Sequence, residues 1–83
     1  MSRTNIGTFE AYLNTLRRFH LDVCQCKRDK KIVMVESQNE EALDTIDDML
    51  EQLHIGSTER SKSQVTITFD DPAIAIQFCK KLQ

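Results

Sequence analysis

Between Ser37 and Gly56 the chain sets Ala42, Leu43, Ile46, Met49, Leu50 and Leu53 at helical spacing, with Glu40, Glu41, Asp44, Asp47, Asp48 and Glu51 in the gaps. At 100° per residue each set covers an arc of about 120°, and the two arcs oppose one another. This is an amphipathic helix, and its apolar side must lie on a second layer. With 83 residues there is enough chain for one core and no more. The rest of the sequence must therefore supply that layer, in a single domain spanning 1–83. Ser37 or Asn39 is placed to cap the helix, with Glu40 completing a capping box from Ser37. Gly56, two residues after His54, suits a left-handed terminator.

The flanking segments read as a small sheet with two more helices. Phe9, Tyr12, Leu13, Leu16, Phe19 and His20 form one apolar stripe, predicting a first helix from about Phe9 to His20, capped by Thr8. Leu21–Lys27 and Lys31–Glu36 are β-rich runs around the connector Arg28-Asp29-Lys30, which predicts an antiparallel hairpin. The connector lacks Gly and Asn, so a longer loop fits better than a tight primed turn. Ile32-Val33-Met34-Val35 is apolar at consecutive positions, as in a central strand. Ser57 to Ser63 reads as a polar loop. Gln64–Phe69 alternates, with Val65, Ile67 and Phe69 inward. Asp71-Pro72 supplies a cap and a first-turn proline for a last helix ending at Leu82. The expected class is α+β: a two-layer sandwich, a small antiparallel sheet with helices on one face, in the order (β)αββαβα. If Arg3–Ile6 adds a short first strand, the layout becomes ferredoxin-like with an extra C-terminal helix.

Composition narrows the function. No run approaches the ~18 apolar residues of a membrane span, and the first residues lack the apolar stretch of a secretory signal. Cys24, Cys26 and Cys79 are odd in number, which suits a reducing, cytoplasmic setting and free thiols. The net charge of −2 is unevenly placed. Residues 1–37 hold seven basic and four acidic side chains, and residues 38–83 hold four and nine.

Six acids on one helix face, with no Lys or Arg between residues 32 and 59, place like charges at i,i+4 spacing. Such pairs are unfavourable by about 0.2–0.5 kcal/mol each. Glu40, Glu41, Asp44, Asp47, Asp48 and Glu51 are therefore the candidate docking surface for another protein with a basic surface. The alternative is a nucleic-acid-associated protein that binds phosphates through Arg17, Arg18, Lys27, Arg28, Lys30 and Lys31. The strand–Asp-Pro–helix cadence of Lys62 to Leu82 resembles the third-strand-to-helix passage of RNA-recognition-motif domains. Gln64 and Thr66 stand where that family carries base-stacking aromatics, so the resemblance implies no base stacking here.

No metal or cofactor is expected. Cys24-Gln25-Cys26 brings two thiols, whereas a closed zinc site takes four ligands. Glu51-Gln52-Leu53-His54 is half of a di-iron carboxylate pattern without its second copy. Gly7 and Gly56 are too far apart for a nucleophile elbow or a phosphate-cradling loop. His20, inside the apolar stripe, reads as a hydrogen-bonded core or C-cap histidine, and His54 as one serving the carbonyls of a helix end. No catalytic residue is therefore assigned, and a non-enzymatic regulator, inhibitor or adaptor is expected. In the last helix the apolar residues spread over about 200°, more than one core needs. Ile76 and Cys79 are thus candidates for self-association, as a homodimer.

Overall fold

The acidic–apolar stretch forms helix α2, Glu40–Leu53, with all six of its predicted apolar residues buried. The computed structural model describes residues 4–83, with side chains from Thr8 onward. Around α2 stand α1 (Thr4–Leu16), β1 (Asp22–Gln25), β2 (Ile32–Glu36), β3 (Gly56–Arg60), β4 (Gln64–Phe69) and α3 (Pro72–Leu82). The four strands make one antiparallel sheet in the order β1-β2-β4-β3. Its core side carries Val33, Val35, Val65, Ile67 and Phe69 beneath residues from all three helices. The α+β class with helices on one face of an antiparallel sheet is what forms.

Several local features differ from the sequence reading. Thr4–Ile6 belong to α1, so no first strand forms there; Arg3 lies outside the described residues. The fourth strand comes instead from β3, which overlaps the stretch read as the polar loop Ser57 to Ser63. The ferredoxin-like layout therefore does not form. β3 has no apolar side chain to reveal it. Its ladder with β4 makes it a strand, pairing Ser57 with Thr68 and Glu59 with Thr66. The turn is only Lys62-Ser63, closed by the Ser61 N–H on the Gln64 carbonyl at 2.8 Å.

Helix ends shift as well. Thr8 lies within α1 rather than at its cap, and α1 stops at Leu16. A tighter turn follows, with the Arg18 N–H on the Thr15 carbonyl at 3.2 Å and the Phe19 N–H on that of Leu16 at 3.0 Å. Such i→i+3 bonds break the helical register. Phe19 and Leu21 still pack on the core while His20 turns out to solvent. At the start of α2 the two candidate caps act in series. Asn39 Oδ1 accepts the Glu41 N–H at 3.0 Å, and the buried Ser37 Oγ accepts the Asn39 N–H at 3.0 Å. The left-handed residue ending α2 is His54 (φ 54°, ψ 42°), not Gly56. Gly56 serves a different need, because a Cβ there would lie 2.3 Å from the Thr68 carbonyl oxygen.

At α3, Asp71 Oδ1 caps the Ala73 N–H at 2.9 Å and Pro72 occupies the first turn, as the sequence predicts. Phe78 of α3 meets Phe69 of β4 with ring centroids 5.3 Å apart and planes at 52°. None of the described helices lies over the opposite face of the sheet. Cys24, Met34, Thr66 and Glu59 lie across it in one register row.

Candidate interaction surface

The six acids of α2 fall into two sets. Asp44 holds the guanidinium of Arg60, Asp47 accepts the hydroxyl of Thr58, and Asp48 Oδ2 accepts the Tyr12 hydroxyl at 2.8 Å. Two of these partners lie on β3 and one on α1, so the acids flank α2 on both sides and tie it down. Non-local partners thus offset the like-charge cost that the i,i+4 spacing implies. Glu40, Glu41 and Glu51 are exposed, and their carboxylates meet no partner among the described residues. Asp44 also remains open, with 71% of its side chain exposed despite Arg60.

The Tyr12–Asp48 contact has a titration signature. The hydrogen bond to Asp48, then burial, then the carboxylate's charge push the Tyr12 phenol above its ordinary pKa. The fold favours the protonated phenol. Its contribution is therefore complete at neutral pH and is lost in alkali, as the pH rises from the unfolded pKa through the raised folded one. Tyr12 is the one tyrosine of a chain without tryptophan, so the tyrosinate absorbance reports it alone. We expect an apparent pKa above that of the urea-unfolded chain, and a difference that shrinks in Asp48→Asn. Equal values in the two proteins would show that this contact does not hold the phenol.

The basic residues do not form one surface. Arg17 and Arg18 follow α1, beside the sheet end where Asp22 pairs with Glu36. Lys27, Arg28, Lys30 and Lys31 sit in the connector at the other end of β1, a separation of about 14 Å for four strand residues. Asp29 organises that connector: its Oδ1 accepts the Lys31 N–H and its carbonyl the Ile32 N–H, each at 3.0 Å. Gln25 Nε2 closes the loop on the Lys30 carbonyl at 2.7 Å.

An open depression of about 780 Å³ lies between the end of α1 and the start of α2, lined by Arg18, His20, Asp22, Glu36 and Asn39 among others. Both charge signs face it, and no cysteine lines it. Among the described residues no group of three or more His, Cys, Asp or Glu side chains is placed to hold a metal ion. Cys24 is exposed and Cys26 half-buried, whereas Cys79 is buried, and all three are free thiols. Burial, then the nearby Cys24, pushes the Cys79 thiol above its ordinary pKa.

No family model, curated protein or solved structure matches the chain.

The self-association pair separates. Cys79 belongs to the chain's own core at 5% exposure, so it offers no contact to a second copy. Ile76, 39% exposed, is the single large apolar side chain standing exposed among the described residues, too little for a patch. The broad apolar arc of α3 has an internal use, since Ala75, Phe78 and Cys79 all enter the core while Ile74 and Leu82 pack at its margin. The polar flank of α3 turns to α1, with Lys81 Nζ 3.5 Å from Glu10 Oε2 and Gln77 Nε2 3.4 Å from Glu10 Oε1.

What the sequence reading missed is β3. It brings Thr58 and Arg60 beneath α2 and gives the sheet its second edge. A faint signal existed: the segment is as long as a strand and stands only three residues before a strongly alternating one. The other edge, β1, is partly closed, because Gln83 Nε2 reaches over from α3 to the Val23 carbonyl at 3.2 Å. No helix of the described residues is long and apolar enough to cross a membrane.

Proposed function

We propose that this chain is a small non-enzymatic interaction module, a regulator, inhibitor or adaptor, whose α2 surface docks a basic region of another protein. The observation carrying this reading is the line of Glu40, Asp44 and Glu51 along the outer side of α2. Two of these carboxylates are unpaired among the described residues, and the third already holds a guanidinium while largely exposed. Arg60 thus shows the kind of group this surface accepts. The separation of the basic residues into two groups weakens the phosphate-binding alternative.

The test leaves Asp44, Asp47 and Asp48 alone, since each already bonds a side chain of another element. Glu40→Gln and Glu41→Gln remove charge in the first turn without the dipole penalty of a cation there. Glu51→Lys reverses charge one turn from Asp47, where an opposite-charge pair helps the helix by about 0.3 kcal/mol. The triple variant is expected to unfold at a urea midpoint close to that of the parent and to lose partner capture from the source cell. Undiminished capture by a folded triple variant would refute the docking role. Retention of the parent on heparin, lost on substituting the connector lysines, would favour the phosphate-binding alternative.

A further inference from the structure

We propose that the outer edge of β3 takes up an extended segment of the partner as a fifth strand, with lysine or arginine at alternate positions lying beside the acids of α2. This rests on the docking reading above and specifies how the partner binds.

The ladder parity opens that edge. The Ser61 N–H bonds to the Gln64 carbonyl and the Asp70 N–H to that of Ile55, so the odd-numbered residues of β3 exchange bonds with β4. In an antiparallel pair the alternate residues then point their N–H and C=O groups away. Those residues are Gly56, Thr58 and Arg60, and their main-chain groups meet no hydrogen-bond partner among the described residues. The β1 edge differs, with Val23 already engaged by Gln83. An unpaired edge is a template for another strand.

The acids sit in register with this edge. Arg60 reaches Asp44 and Thr58 reaches Asp47, so α2 and β3 run antiparallel with successive helical turns over alternate strand residues. A helical turn rises about 5.4 Å and two strand residues about 6.8 Å, so the match holds over a few residues. Continuing the alignment sets Glu51 over the Gly56 end and Glu40 toward the Lys62 end. A strand added about 4.8 Å outward would aim its helix-side residues at Glu40, Asp44 and Glu51. Arg60 already makes this contact from β3 itself. Main-chain bonds would supply affinity, and the acids would select basic side chains at every second position. A compact basic surface would satisfy the acids but leave the edge empty.

The probe is an acetylated synthetic peptide alternating lysine and threonine, titrated into the full chain at low ionic strength and followed by anisotropy and amide hydrogen exchange. A second peptide of the same sequence carries N-methyl groups on alternate amides, which keeps its charge and removes its ladder donors. We expect the first peptide to slow exchange at Thr58 and Arg60 and not at Val23 or Gln25. The methylated peptide should bind at least about tenfold more weakly, as β-augmentation draws its affinity from main-chain bonds. Glu51→Lys should also weaken the first peptide. Equal binding of both peptides, or protection at β1 instead of β3, would overturn the added strand. If that binding still depended on Glu51, the docking reading would survive. A peptide that fails to bind also overturns the added strand, and partner capture by the triple variant then decides the docking reading separately.

Discussion

Phe78→Ala is expected to lower the unfolding free energy by about 3–5 kcal/mol. Phe78 is fully buried on α3 and meets the ring of Phe69, which is 1% exposed on the central strand β4. Truncation removes the transfer free energy of a whole aromatic ring and leaves a cavity between a helix and a sheet. Neither wall can close it cheaply, because β4 is held on both sides by β2 and β3. It also removes a tilted aromatic pair, worth about 0.5–1.5 kcal/mol beyond area. At roughly 0.05–0.15 kcal/mol per residue, a chain of this length has about 4–12 kcal/mol in total. The variant should therefore lose at least about a quarter of the domain's stability. Ile76→Ala, two residues away on the same helix, is the control. Its side chain is the exposed one, and its substitution should stay within about 0.5 kcal/mol. Urea titration followed by circular dichroism reads both. A loss at Phe78 no larger than that at Ile76 would mean that α3 does not seat on the sheet by this ring.

The contrast between these two positions shows what was legible in the sequence. The apolar arc of α2 and the alternation of β4 each name a buried face directly, because one periodicity and one core suffice. The cap at Asp71 and the hairpin of β1 and β2 were equally local. For α3, periodicity alone made Ile76 and Cys79 look alike, and the fold separates them: Cys79 joins the core and Ile76 does not. β3 was illegible for another reason. Gly56-Ser57-Thr58-Glu59-Arg60 buries no apolar side chain of its own, so its strand state exists only through pairing with β4. The acids of α2 were recognised as a set, but their division was not. It depends on Tyr12 and Arg60, which are remote in sequence and come to α2 only when α1 and β3 are in place. Like charges at i,i+4 correctly signalled that something must offset them. Part of that answer lies inside the chain.

Gly56→Ala is expected to destabilise the domain by about 2–3 kcal/mol, and here the sign itself tests the geometry. Alanine at an ordinary backbone conformation would restrict the unfolded chain and stabilise by about 0.4–1 kcal/mol. Gly56 does have an ordinary conformation, since no glycine among the described residues has a positive φ. A helix-terminator role for Gly56 is already filled by His54. The obstacle is contact. An added Cβ would stand 2.3 Å from the Thr68 carbonyl oxygen and 2.9 Å from the Phe69 Cα, both backbone atoms that no rotamer can move aside. Relief requires β3 to draw back from β4 at its first pairs, Gly56 with Phe69 and Ser57 with Thr68. The Asp70 N–H bond to the Ile55 carbonyl, 2.9 Å at that corner, would go with it. Because β3 follows α2 after only His54 and Ile55, the strand cannot shift without disturbing Thr58 under Asp47 and Arg60 under Asp44. Urea unfolding should show the loss, and faster amide exchange at Ser57 and Glu59 should place it in the β3–β4 ladder. A stabilised Gly56→Ala variant would mean that β3 does not approach β4 this closely, and the edge that β3 presents would then lie elsewhere.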